Sequence, residues 1–312
     1  MLSYIWHNWF LIAFIAPFLW ALVNIIDVYF AKEVYQDEYD GAIVSGFFQV
    51  IPWLLVPFIG LAIPGINIVM LAILGGLFFC AAMFFYFKAI FTTGDVSLLQ
   101  IFWNLTALVV PVITFFVLSE RLSNFQYAGI LTTFAGATLL SFHRGIRENN
   151  FKRFLVLMSG AILFLSFSMV TADIVYSRTD FFSGFLFFAL GYFIGSLFIL
   201  NINKKKSTKY LYRLCKEYFV WFFVIEAINL AAIIFSQRAI SISPSVSFVA
   251  VIESFIPAFI LLLSLSMLVI LSILPFKKQK VIKLIYQDQI AGSTHKIAAI
   301  LIMAYGIYLI SS

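Results

Sequence analysis

Ten stretches of this 312-residue chain are apolar for about 20 residues or nearly so, and only short polar gaps separate them. They run from Trp9 to Phe30, Ala42 to Ile63, Ile66 to Ile90, Val96 to Leu118, Tyr127 to Phe142, Phe154 to Tyr176, Phe181 to Leu200, Phe219 to Ala239, Ser245 to Leu274, and Ile297 to Ile310. At about 1.5 Å per helical residue, about 20 residues span the roughly 30 Å hydrocarbon core of a bilayer. The fifth and tenth stretches are short. Their apolarity is unbroken, whereas a lipid-spanning barrel alternates apolar and polar residues in segments of about ten. The expectation is an all-α membrane protein of ten transmembrane helices. Composition agrees: 63% of residues are hydrophobic and 11% charged, against about 25% charged in a soluble domain, so a water-facing surface could not be furnished.

The gaps carry the charge. Counted in order, the odd-numbered loops hold sixteen lysines and arginines, and the even-numbered ones hold Arg121, Arg178 and Arg238. The positive-inside rule then places the odd loops in the cytoplasm and both termini outside. These bases lie between spans, where they set orientation and meet anionic lipid head groups, so the +6 net charge is not a nucleic-acid signal. The N-terminus lacks a basic stretch and a small-residue cleavage site, so the first helix is expected to be retained. Cys80 and Cys215 sit in different environments and offer neither metal spacing nor an obvious disulfide. No cofactor is expected.

Self-similarity divides the chain. Asp27-Val28-Tyr29-Phe30-Ala31-Lys32 closes the first span and Asp173-Ile174-Val175-Tyr176-Ser177-Arg178 the sixth, with the same acid-to-base spacing. Lys88-Ala89-Ile90 closes the third and Arg238-Ala239-Ile240 the eighth, and each is followed by Val-Ser, at Val96-Ser97 and Val246-Ser247. In the fifth span Ala128, Ile130, Leu131, Gly136, Leu139 and Ser141 recur in the tenth as Ala298, Ile300, Leu301, Gly306, Leu309 and Ser311. The anchors divide the chain into residues 1–147 and 148–312. The second unit carries an inserted basic segment around 276–295. Because five spans is an odd number, the second copy enters the membrane upside down relative to the first. Many transporters are built on such an inverted repeat.

With these residues in hand, the chain resembles the drug/metabolite transporter superfamily, specifically its ten-helix EamA-type branch. The likeness rests on Ala16-Pro17-Phe18-Leu19-Trp20-Ala21-Leu22-Val23-Asn24 in the first span. It continues from Pro111 through Leu118-Ser119-Glu120-Arg121-Leu122-Ser123 to Gln126, Gly129 and Gly136. The second half keeps Pro257 but replaces the Glu-Arg-Leu with the basic insertion. The resemblance implies alternating access between two five-helix halves around a central cavity, on substrates that range from amino acids to drugs. It also implies cytoplasmic termini, opposite to the charge count, which reads this chain directly.

An ionisable group at membrane depth costs several kcal/mol unless paired or wetted. Asp27 with Lys88 at one face, and Asp173 with Arg238 at the other, are expected to form two symmetry-related ion pairs that gate the mouths of the cavity. The bland alternative is that all four snorkel into the head groups. Glu226 and Glu253 lie about eight residues, roughly 12 Å, into their spans, near the bilayer centre. In the first half Gly76 and Trp103 fall at the matching positions. A carboxyl at that depth suits a group that takes up and releases a proton in each cycle, which makes protons the expected coupling ion. The alternative is a structural carboxyl bonded to Asn229 or Ser254. Trp20, Asn24 and Asp27 share one face of the first span, and Gln100, Trp103, Asn104 and Pro111 one face of the fourth. With Asn229 they are the candidate cavity wall. Pro111 and Pro257 are expected to loosen their helices.

Secondary active transport of a small metabolite or drug-like molecule is therefore the expected function, in a bacterial cytoplasmic membrane. The partners are that substrate, protons and membrane lipids, with a homodimer left open. A flippase for a lipid or lipid-linked carrier is the strongest rival, since the basic loops could hold a phosphate head group. An enzyme is disfavoured because His7, His143 and His295 lie at span ends or in loops. A channel is disfavoured because single scattered charges do not make a ring.

Overall fold

The structure, a computed structural model, describes residues 6–93, 96–141, 151–202, 208–273 and 293–311. Among these residues there is no strand, and 87% of them are helical. In chain order the helices are α1 (Trp9–Glu33), α2 (Asp40–Phe48), a 3-10 turn (Ile51–Leu55) leading into the short α3 (Val56–Ile59), α4 (Ile66–Thr93), α5 (Val96–Trp103), α6 (Thr106–Val117) and α7 (Asn124–Ser141). There follow α8 (Phe151–Tyr176), α9 (Phe181–Ile202), α10 (Thr208–Glu217), α11 (Phe219–Ile242), α12 (Val246–Glu253), α13 (Ile256–Ile273) and α14 (Ser293–Ser311).

Eight helical stretches are long and apolar enough to cross a bilayer, so the chain is an integral, multi-pass membrane protein. The two remaining expected spans are α7, with 18 residues but polar ones such as Asn124, Gln126 and Thr132, and the apolar stretch His295–Ser311, which is short. Large apolar side chains such as Phe58, Phe116, Trp221 and Leu301 are exposed, as lipid-facing positions should be. The inserted basic segment around 276–295 lies almost wholly outside the described residues.

Local sequence explains where the helices yield. The second span is not one helix, because Pro52 and Pro57 enter the first positions of the 3-10 turn and of α3. Gly60 then ends it at φ 74°, a conformation glycine adopts without steric cost. The fourth span breaks between α5 and α6, where Leu105 N–H bonds to Phe102 O. The ninth breaks between α12 and α13, where Phe255 N–H bonds to Ile252 O. Both breaks are 3-10-type turns at matching registers. Pro257 directly follows its break, and Pro111 sits inside α6, where it has no N–H to offer the carbonyl one turn back. The fourth span itself breaks at Asn104-Leu105, seven residues before Pro111.

Packing follows small residues. α7 lies along α14, with Gly129 facing Gly306. A Cβ added at Gly129 would stand 2.6 Å from Gly306 O, so glycine lets the two backbones meet, as in other membrane helix pairs. α4 lies along α8 and α9, and α1 along α11. α1, α4, α5, α11 and α13 converge on the region described next.

Candidate functional site

Glu226 is 3% exposed in the middle of α11. Ser45 Oγ–H donates to its Oε1 at 2.6 Å, and Asn229 Nδ2–H donates to its Oε2 at 3.1 Å. Asn229 Oδ1 in turn accepts from the indole N–H of Trp20 at 3.3 Å. Asn229 stands one turn beyond Glu226, so the i, i+3 spacing of α11 sets the first link. Ser45 arrives from α2 because its side chain is one of few polar groups in an apolar stretch and must find a partner inside the protein.

Asp27 is 5% exposed and lies within electrostatic reach of Glu226. Among the described residues its carboxyl has no hydrogen-bond or ion-pair partner. It lines a cavity with Trp20, Asn24, Phe79, Met83, Tyr86, Gln100, Trp103 and Asn229. The cavity measures about 30 Å³, room for about one water. Tyr86 O–H donates to Asn24 Oδ1 at 2.7 Å, and its ring meets that of Trp103 edge-on at 5.0 Å. Gln100 is 2% exposed, and its Oε1 has no partner. Of the expected wall, Trp20, Asn24, Gln100, Trp103 and Asn229 are thus brought together. Asn104 is 1% exposed and does not line the cavity; it stands at the break after α5, and neither of its side-chain polar atoms has a partner. Phe79, Met83 and Tyr86 were not singled out from sequence, although their i, i+4, i+7 spacing on α4 marks one helical face.

The expected ion pairs do not form. Lys88 Nζ pairs with Glu38 at 3.4 Å and lies over the rings of Phe84 and Tyr39, 4.4 and 5.0 Å from their centroids. At the other end of α1, Arg238 Nε–H donates to Trp6 O at 3.4 Å, and the guanidinium lies over the rings of Trp6 and Phe181. Asp173 is half-buried, with Glu120 as its electrostatic neighbour. Helix phase is the reason: Asp27 faces the cavity, whereas Lys88 faces the loop before α2. Each cation is therefore held by aromatic rings, one of which stands at the start of an earlier helix, Tyr39 just before α2 and Phe181 at the head of α9.

Glu253 is 5% exposed and accepts from Ser236 Oγ–H at 2.6 Å. Its partner is thus not Ser254, whose hydroxyl donates to Val251 O. It does not line the cavity. At the other end of the bundle, Ser247 Oγ–H donates to Glu120 Oε2 at 3.2 Å. Outside the spans, burial pushes the Cys215 thiol up from its ordinary range, which keeps it an unreactive thiol. Among the described residues no cluster of metal-ligating side chains occurs.

No protein-family model matches the sequence, and no curated protein matches it. A crystal structure of a protein aligns with 96% of this chain and 97% of its own, at a TM-score of 0.63 and 16% identity. At that identity the likeness speaks to the fold alone, and it extends over essentially the whole length of both chains.

Proposed function

We propose that this protein is a secondary active transporter of the EamA type. It has ten spans in two inverted five-helix halves, sits in a bacterial cytoplasmic membrane, and moves a small metabolite or drug-like molecule by proton-coupled alternating access. The observation that carries this reading is the water-sized cavity at the junction of α1, α4, α5, α11 and α13, with Asp27, unpartnered among the described residues, on its wall. Polar groups so deep in a membrane protein are costly unless they serve a substrate or ion path. The cavity draws on both halves, and the fourth and ninth spans break at matching positions beside it, as discontinuous helices do around transporter sites. With room for about one water, this conformation is closed. Protons are the coupling ion in this reading because Glu226 and Asp27 are neighbouring carboxyls that no basic side chain on the wall neutralises.

The test is solute movement in proteoliposomes under an imposed pH gradient. Solute flux that collapses the gradient supports the reading. Lipid translocation without solute flux overturns it in favour of a flippase. That second reading has one observation on its side, an apolar groove of about 330 Å³ between α6 and α7, lined by residues such as Leu108, Pro111, Phe115 and Leu131.

A further inference from the structure

Resting on the transport reading, we propose that the cavity recognises an aromatic organic ammonium ion, with Asp27 as the counter-ion of its protonated nitrogen and Trp20, Trp103 and Tyr86 around its ring.

Three independent features of the cavity point the same way. The first is charge. Among the described residues Asp27 is the one carboxyl on the wall, Glu226 stands behind Asn229, and no lysine, arginine or histidine lines the space. Lys88 is turned away onto Glu38 and two rings, so among the described residues no cation pairs with these carboxyls. An anion would meet uncompensated repulsion, and specificity arises from such mismatches as much as from attraction.

The second is hydrogen bonding. The N–H of Trp20, the O–H of Tyr86 and an N–H of Asn229 are engaged within the wall. Among the described residues the Asp27 carboxyl and Gln100 Oε1 are buried acceptors without a donor. Buried acceptors in that state are explained by a water, an ion or a ligand, and an ammonium group supplies both donors and charge.

The third is shape. Trp20, Asn24 and Asp27 follow one another at i, i+4 and i+7, so the wall runs for about 10 Å along α1. Trp20, Tyr86 and Trp103 line it, and the Tyr86 and Trp103 rings lie 5.0 Å apart. Rings of this kind hold cations against their faces and stack on planar groups. The cavity in its closed form is too small for the substrate, so the ion enters when the halves part.

The experiment uses the purified full chain in detergent and in proteoliposomes with phenethylammonium, and sets it against two isosteres of similar size, neutral 2-phenylethanol and anionic phenylacetate. The expected result is binding and flux of phenethylammonium at least about tenfold above either isostere, a gap of about 1.4 kcal/mol. Asp27→Asn should weaken binding by a similar factor, while Asp27→Glu keeps part of it. Gel filtration and thermal unfolding establish that both variants fold. Equal or better binding of the alcohol or the acid overturns the proposal, as does unaltered binding in a folded Asp27→Asn. Flux of another, neutral or anionic solute without the amine overturns the proposal and leaves the transport reading standing. Lipid translocation with no solute flux overturns both.

Discussion

Asp27 and Asp173 end equivalent stretches of one repeated sequence pattern, yet they occupy different surroundings. Asp27 is 5% exposed and lines a cavity beside Glu226, whereas Asp173 is half-buried beside Glu120. The position matching Glu226 in the first half is Gly76. A Cβ there would stand 2.7 Å from Tyr192 N and collide with Phe188 O. The backbone of α9 thus fills the space that a carboxyl occupies on the Glu226 side. The repeated sequence pattern is thus used asymmetrically: the first half supplies Asp27 and the second Glu226, while the positions that match them, Asp173 and Gly76, lie off the cavity wall.

Gly76→Val tests whether backbone packing enforces that asymmetry, and its effect should be the largest. Overpacking against main-chain atoms, which cannot swing aside as a flexible side chain does, should cost about 3 kcal/mol. It should be visible as a large fall in the detergent unfolding midpoint. A valine variant as stable as the parent would mean that the two sides are not distinguished by packing.

Glu226→Gln and Asp173→Asn sharpen the same contrast at the level of function. Glutamine keeps the shape of Glu226 and can still accept from Ser45, but it carries no charge. Transport in proteoliposomes should fall about a hundredfold, or about 2.7 kcal/mol. Asp173→Asn should leave the rate within about threefold, less than 1 kcal/mol. If Asp173→Asn were the more damaging change, the cavity side would have been assigned to the wrong copy.

Much of this was legible in the sequence, and the rest was hidden for identifiable reasons. Apolar run length marked the eight helical stretches long and apolar enough to cross a bilayer, because the lipid core imposes its own thickness on any helix that crosses it. Helical phase gathered Trp20, Asn24 and Asp27 on one wall, since residues on one face turn inward together. The partners of the charges were not legible. Asp27 and Lys88 end spans on the same face of the membrane, but facing requires rotational phase as well as depth, and the loop residues Glu38 and Tyr39 that capture Lys88 carry no periodic signal. Ser45 was overlooked for a different reason. One hydroxyl in an apolar run is common, and only the approach of α2 to α11 makes it a donor to Glu226.

Ser45→Ala isolates that donor. It leaves Asn229 as the remaining donor to Glu226 and deprives one buried carboxyl oxygen of its partner, which should cost about 1–3 kcal/mol. The unfolding midpoint should drop accordingly, and the drop should vanish in a Glu226→Leu background, where no carboxyl remains to be satisfied. A drop that persists there would assign Ser45 to helix packing rather than to the acid.

The two mouths provide the smallest and most discriminating comparison. Lys88 and Arg238 are each held over two aromatic rings, and Lys88 has in addition a part-exposed pair with Glu38. Partly exposed cation–ring contacts and exposed salt bridges each contribute about 0.5–1 kcal/mol. Lys88→Gln and Arg238→Gln should therefore lower stability by about 1 kcal/mol each. Lys88→Met combined with Glu38→Gln should show coupling within that range. Neither change should be rescued by exchanging charge with Asp27 or Asp173, because neither cation touches its acid. If Lys88→Asp with Asp27→Lys restored transport lost in the single variants, the ion pair would form in another conformation of the cycle, and Asp27 would be shared between cavity and mouth.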